Sequence, residues 1–325
     1  PVVNENSVPP RPEQADDMIA WAASELSARG IAVHEAVWPH LYPWSHVAKL
    51  TTDHGDHWFK AGLGDTGYEA ALLRLLGSLT PAHVVVPLAV DPARGWSLSP
   101  DGGVTLRSVE SGGFEVPAWE RMLREYAHLQ RDLTAHVPDL LAVGVPDLRP
   151  QRLPELFDEL LADPEVQAGL GDKLAPLRDR RAAYADAAAR LAGSGIAPTL
   201  QHDDLHDANV LVRGDKFAFF DWGDSSVAHP FGTLLVTLRV AAHKTGAKAG
   251  DPLLARLRDA YLEPWTAERD HGELVELVGA ALTVTKVSRA LSYRRALIDV
   301  RGERRPEHAD AIWGWLEELL EPDMW

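Results

Sequence analysis

Hydrophobic and polar residues change period several times along the chain. The stretch "PEQADDMIAWAASELSARG" carries acids in its first turn, apolar residues at helical spacing, and Arg29-Gly30 at its end. It predicts a helix over residues 12–30. The residues up to Pro12 read as loosely draped chain. Three short strand-like runs follow, "IAVHEAVW", "HVAKLTT" and "HWFKAG", separated by turn formers. A second helix is expected over "DTGYEAALLRLLGSL", capped by Asp65 or Thr66. "HVVVPLAV" and "GWSLS" read as two more strands, and "PDGG" from Pro100 to Gly103 as a break.

Beyond that break the helical period takes over. "PAWERMLREYAHLQRDLTAHV" is a long amphipathic helix, and helical patterns run on to the C-terminus. One block interrupts them. From "QHDDLHDANVLV" to "KFAFFDW" the pattern is loop, strand, a turn at Gly214-Asp215, then strand. The order implies an α+β chain of two lobes: an extension with its helix over 1–30, a small strand-rich lobe over 31–100, and a larger helical lobe over 101–325. A cleft between two such lobes is a common place for a ligand.

Composition adds a few exclusions. The chain has 325 residues, with 46% apolar and 25% charged, enough for more than one small core. A formal net charge of −16 argues against nucleic-acid binding, which needs a basic face, and weakly favours a cationic small-molecule partner. There is no cysteine, so disulfides, a thiolate nucleophile and a cysteine zinc site are excluded. No apolar run reaches the ~20 residues of a membrane helix. The N-terminus lacks the pattern of a signal peptide, and the expectation is a cytoplasmic enzyme.

The chemistry concentrates in "QHDDLHDANVL", Gln201 to Leu211. Crowded carboxylates would repel one another or titrate unless something matches them. A tight hairpin should bring Asp204 and Asn209, before it, next to Asp221 and Asp224, after it. Hard Asn and Asp oxygens suit Mg²⁺, which also binds substrate phosphates.

The order H-x-D-L-x-x-x-N and then F-D-W-G-D resembles the aminoglycoside phosphotransferase and choline kinase family. The similarity extends to a strand lysine in "HWFKAG" and a helix glutamate in "TGYEAALLRLL". The resemblance implies a bilobal protein kinase-like fold and an ATP- and Mg²⁺-dependent kinase acting on a hydroxyl. The acceptor class it suggests is an aminoglycoside, amino sugar, sugar or amino alcohol. It implies that Asp204 accepts the hydroxyl proton and that Asn209 and Asp221 hold Mg²⁺. Lys60 would contact the α- and β-phosphates, kept in place by Glu69. Backbone from Ser97 to Ser99 would bond the adenine, and Ser45 would cover the phosphates where other kinases have a Gly-rich loop.

Asp203 departs from that pattern by standing where the signature has glycine. His229 and Thr233, in "AHPFGTL", replace acidic residues, which bears on the acceptor side of the cleft. His202 reads as a loop anchor, and a zinc site with His206 is disfavoured because a third ligand is missing. Both histidines and Asp224 remain candidates for contact with the acceptor or support of the loop. Lys286, Arg289, Arg294 and Arg295 in "TKVSRALSYRRAL" read as a solvated helix face, and Trp313 and Trp315 as core or pocket lining. Two other functions compete. An idle nucleotide-binding scaffold would not need the full set of Lys60, Asp204, Asn209 and Asp221, and a metal-dependent hydrolase leaves Lys60 and Glu69 without a role.

Overall fold

In the computed structural model, described for residues 11–110, 112–297 and 308–321, helix α1 (Ala15–Ser27) lies on a five-stranded antiparallel sheet. The strands are β1 (Val33–Tyr42), β2 (Ser45–Thr52), β3 (Gly55–Gly62), β4 (Ala89–Asp91) and β5 (Trp96–Pro100), in the order β1-β2-β3-β5-β4. The loosely draped reading of the first residues falls mostly outside the described range.

Alternation along β3 sorts its side chains between two faces. Phe59 and Ala61 are buried with Met18, Ala22 and Leu26 of α1 and with Trp96 and Leu98, which form one apolar cluster. Trp21, Phe59 and Trp96 meet edge to face, with centroids 5.6–5.9 Å apart. Lys60 therefore points to the opposite face. Helix α1, read as part of an extension, is packed into this lobe. In β1 the ladder slips between Val37 and His40, where Pro39 has no N–H to offer.

Helix α2 (Glu69–Leu79) covers the Lys60 face, yet its apolar side, Leu72, Leu73 and Leu76, belongs to the main core of the second lobe. The helix starts four residues after Asp65. Neither Asp65 nor Thr66 caps it, because a short 3₁₀ turn at Gly64–Thr66 intervenes and the Thr66 hydroxyl is engaged by the carbonyls of Trp44 (2.9 Å) and Leu63 (2.8 Å). "HVVVPLAV" is a strand only at its end, since Pro87 interrupts it. Val84 instead makes an isolated bridge to Phe219 and is buried in the main core.

The larger lobe is helical. Short α3 (Leu106–Val109) and long α4 (Val116–Leu133) follow the connector. α4 presents Trp119, Met122, Leu123 and Tyr126 to the core. Strand β6 (Thr199–Gln201) pairs with β9 (Ser226–Ala228), and β7 (Val210–Arg213) with β8 (Lys216–Phe219). Gly214 turns that hairpin with φ at +65°, a conformation open to glycine. A 26-residue helix, His271–Ala296, runs behind it; its first turn is exposed, but from Ala280 to Ser292 it is buried almost all round, including Lys286, Ser288 and Arg289. Of the expected solvated face, Lys286 and Arg289 are inside and Arg294 and Arg295 are half-buried. Among the described residues no helix is long and apolar enough to cross a membrane.

Candidate active site

The register of the β7–β8 hairpin carries the site. Val210 pairs with Phe219, and the Phe220 N–H donates to the Asn209 carbonyl at 3.2 Å, so the residues flanking the hairpin are neighbours. His202 secures the same closure from below. It is fully buried, and its Nε2 lies 2.8 Å from the Phe220 carbonyl. Burial holds the ring's pKa below its usual value, so it is a neutral donor, and it packs on Trp222 at 4.7 Å. His202 is an anchor.

Asp221 follows the hairpin in a left-handed conformation, φ 64° and ψ 59°, which Asp tolerates better than most residues. The turn aims its carboxylate at Lys60. Lys60 bonds directly to Asp221 and to Glu69 Oε2 at 2.7 Å. Burial opposes the ammonium, but Asp221 and Glu69 outweigh it and raise the lysine pKa above its ordinary value. Lys60 in turn holds Asp221 below the usual carboxylate range. Glu69, 5% exposed, also accepts the Trp222 N–H at 2.9 Å. The neighbouring Tyr68 hydroxyl shares its proton between the carbonyls of Gly223 (2.7 Å) and Ser225 (2.8 Å). Helix α2 is thus fastened to the Asp221 turn at two points.

Asp204 faces the other side of the opening. Asn209 Nδ2 donates to its carbonyl at 3.0 Å and its Oδ2 at 3.3 Å, which fixes the loop and leaves Asn209 Oδ1 as the free end of the amide. Burial favours the protonated acid, but His206 and Arg289 prevail and hold Asp204 well below the usual range. Arg289 Nη2 stands 3.6 Å from Asp204 Oδ1, while its Nη1 donates to the Asp203 carbonyl and Asp224 Oδ2, both at 3.1 Å. Ser292 donates to Asp224 Oδ1 at 2.6 Å. Asp224 is therefore a brace between the Asp221 turn and the long helix.

Behind the loop, Asp207 is fully buried and matched by Arg107 of α3 at 2.8 Å and by Lys244, which also meets Glu110 at 2.7 Å. His206 Nδ1 lies 3.1 Å from the Ala208 N and its Nε2 3.6 Å from Asp204; against burial, Asp204 and Asp207 raise the ring's pKa to about 9. This network answers the crowding seen in the sequence: each acid has a cation or donor. Its basic members lie at 107, 244 and 289, far from the motif in sequence, so the motif alone did not reveal them.

The structure does not bring every candidate to this opening. Ser97 and Ser99 sit inside β5; Ser97 pairs with Lys60 on one side and Val90 on the other, and Ser99 pairs with Trp58. The crossing between lobes lies further on, at 101–104. There, Gly102 admits Leu211 and Val85 where a Cβ would collide, and the Val104 carbonyl accepts from Val212 at 2.9 Å. Ser45 is 7% exposed and pairs with Gly62 at the start of β2. The turn before it, Tyr42-Pro43-Trp44, has a proline at its tip and cannot form a continuous nest of N–H donors. His229 and Thr233 are buried at 4% and 1% exposure, so their replacement of acids bears on the lobe's interior. Trp315 takes the guanidinium groups of Arg239 and Arg289 over its ring, at 4.7 and 5.6 Å.

The donors fit a magnesium ion. Asp221 is half exposed (51%), and with Asn209 Oδ1 it offers hard oxygens beside the lysine that would meet phosphate. Among the described residues there is no group of three or more His, Cys, Asp or Glu able to hold a metal.

A strand lysine paired with a helix glutamate and with the aspartate that follows the β7–β8 hairpin, beside an Asp-Asn loop, on a small antiparallel sheet joined to a helical lobe, is the arrangement of a bilobal, protein kinase-like phosphotransferase. The chain matches the model of the phosphotransferase enzyme family (APH) over residues 8–274 and belongs to that family. No curated protein matches the sequence. Similar solved structures include the GDP and kanamycin complex of APH(2")-IIia, 16% identical, with 94% of this chain and 98% of that one covered and a TM-score of 0.58. An ethanolamine kinase from Plasmodium vivax is 11% identical over 89% of this chain and 82% of its own, with a TM-score of 0.60. The amicoumacin kinase hAmiN, in complex with AMP-PNP, Ca²⁺ and Ami, is 12% identical over 93% and 95%, with a TM-score of 0.57.

Proposed function

We propose that the protein transfers the γ-phosphoryl group of ATP, with Mg²⁺, to a hydroxyl of a small molecule. The observation that carries this reading is the convergence of Lys60, Glu69 and Asp221 on one side of the groove, with Asp204 and Asn209 on the other. Phosphoryl transfer asks little covalent work of a protein; positioning and charge stabilisation do most of it. The likeness to proteins solved with GDP and with AMP-PNP and Ca²⁺ supports a nucleoside triphosphate and a divalent cation.

In this reading Lys60 contacts the α- and β-phosphates, released in part from Asp221 as the nucleotide enters. Glu69 keeps the ammonium in place. Asp221 and Asn209 hold the Mg²⁺, which supplies neutralisation of phosphate charge. Asp204 accepts a hydrogen bond from the acceptor hydroxyl and takes its proton as the new P–O bond forms and the bond to the ADP oxygen breaks. Its depressed pKa makes it a weak base, so it orients the hydroxyl first and receives the proton late. The adenine contact falls to Ser99, whose outer edge is unpaired, and to the connector at 101–103, rather than to Ser97, which is paired on both sides.

The scaffold and hydrolase readings lose ground on the same geometry. A scaffold needs no ordered Asp204, and the histidines a hydrolase would use are committed to loop hydrogen bonds. The test is a separation of effects. Asp204→Asn should lower kcat by at least ~10³-fold while leaving ATP affinity within a few fold, since that residue acts on the acceptor. Turnover retained in Asp204→Asn would remove the base from this scheme.

A further inference from the structure

One side chain touches both loops of the site from outside either motif. Arg289 lies on the long helix, 4% exposed. Its Nη1 donates to the Asp203 carbonyl and to Asp224 Oδ2, both at 3.1 Å, and its Nη2 stands 3.6 Å from Asp204 Oδ1. The rings of Tyr293 and Trp315 flank the guanidinium at 5.4 and 5.6 Å. Ser292, one turn along the helix, donates to the other oxygen of Asp224 at 2.6 Å. A planar fork held in this way has little freedom to turn. A lysine ammonium, a point charge on a flexible stem, would not keep all three oxygens in a fixed relation.

Two of these contacts bear on how Asp204 is presented. The Asp203 carbonyl belongs to the peptide bond that leads into Asp204, so a donor on it fixes the direction in which that side chain leaves the backbone. Asp203 holds φ at +63°, which a residue other than glycine keeps only where its surroundings impose it. Its carboxylate accepts from Ser226, so the residue is tied at both side chain and carbonyl. The Asp204 carboxylate is likewise addressed at each oxygen. Asn209 Nδ2 donates to Oδ2 at 3.3 Å, whereas Arg289 faces Oδ1 at a distance too long for a full hydrogen bond. Arg289 therefore orients Oδ1 by charge without occupying it, and the Asp204 side chain stays 30% exposed. Bracing the fold would need only the bonds to Asp224 and the Asp203 carbonyl. The second nitrogen, aimed at Asp204, adds a chemical consequence.

Resting on the kinase reading above, we propose that Arg289 is a positioning residue, setting the Asp204 carboxylate at the angle from which it receives the acceptor hydroxyl. In this role it acts through Asp204 and needs no contact with nucleotide or acceptor. A small error in that angle costs rate, because the reacting atoms must meet within a narrow range of distance and direction.

The test is a double-mutant cycle on ATP turnover with Mg²⁺, read as ADP release with water, glycerol, kanamycin and ethanolamine each offered as acceptor. Arg289→Gln should lower kcat ~10²-fold while the KM for ATP stays within about threefold. Arg289→Lys, which keeps the buried charge, should lose only ~10-fold and carries the same cycle. With Asp204→Asn already in place, either change should cost less than about twofold more, because the group it positions is gone. Losses that multiply in the double variants, an unchanged kcat in Arg289→Gln, or a loss shared equally by kcat and ATP affinity would overturn the proposal. Crystals of the Arg289 variants with AMP-PNP and Mg²⁺ need no acceptor. There the Asp204 carboxylate should leave its place beside Asn209 while Lys60 and Glu69 stay paired, and an undisturbed carboxylate would overturn the proposal. Wild-type protein that fails to bind AMP-PNP at all would instead sink the kinase reading, so the two failures are distinguishable.

Discussion

Asp203 should make the protein less stable as pH rises through the mildly acidic range, and Asp203→Asn should remove that loss. The residue is 2% exposed and holds φ at +63°, where the family pattern has glycine. Burial pushes its carboxyl up to about 6 despite hydrogen bonds from Ser226 and Gln201 and the nearby Arg289. Unfolded, the same carboxyl titrates near 3.8. The folded state therefore holds its proton longer. Stability from this group is full below the unfolded pKa and falls as pH rises from there through about 6. A difference of roughly 2 units corresponds to about 3 kcal/mol at neutral pH. Asparagine keeps the geometry: Oδ1 still accepts from Gln201, Nδ2 can donate to the Ser226 hydroxyl, and asparagine tolerates left-handed backbone. The assay is urea unfolding of both proteins across a pH series. The gap in unfolding free energy, Asp203→Asn minus wild type, should widen by about 2 kcal/mol between pH 4.5 and 7.5. A gap that stays constant across the series would refute the claim that this carboxyl resists ionisation in the fold.

His229 predicts the opposite limb. Burial lowers its pKa to about 3, and its Nε2 lacks a partner, so the unfolded chain takes up a proton first as pH falls below about 6.5. His229→Asn keeps an acceptor for the Phe231 N–H and should lose about 2 kcal/mol less than wild type between pH 7 and pH 5, measured by thermal unfolding; parallel losses would contradict it. Glu69→Ala should destabilise by about 3 kcal/mol and weaken nucleotide binding, because Lys60 loses its buried partner and the Trp222 N–H its acceptor. A variant that melts like wild type would show that the pair contributes little. Gly232→Ala should destabilise by about 1–3 kcal/mol, since a Cβ there collides with Thr285 and with Gln201, the residue that holds Asp203; a neutral effect would mean that this corner of the core yields.

Much of this was legible in the sequence because the signals were local. The β7–β8 hairpin announced itself through Gly214-Asp215 and two apolar runs, and it dictated the meeting of Asn209, Asp204 and Asp221. Lys60 followed from its place in a strand and Glu69 from the next helix. Signals that depend on tertiary burial were not legible. Arg289 and Lys286 look like solvated residues until the helix around them is seen to be buried almost all round. The network of Arg107, Asp207, Lys244 and Glu110 joins residues 37 to 134 positions apart. Ser97 lies inside β5 with strands paired on both sides, and only the strand pairing reveals that the free edge begins at Ser99.

The central claim is that Asp221, beside Lys60, makes nucleotide binding depend on a divalent cation. Calorimetric titration of ATP into the wild-type protein with Mg²⁺ and with EDTA, repeated on Asp221→Ala, addresses it directly. The account predicts that wild-type affinity falls by at least ~10-fold without Mg²⁺ and that Asp221→Ala binds ATP weakly and almost equally in both conditions. Wild-type protein that binds ATP no better with Mg²⁺ than with EDTA would contradict it.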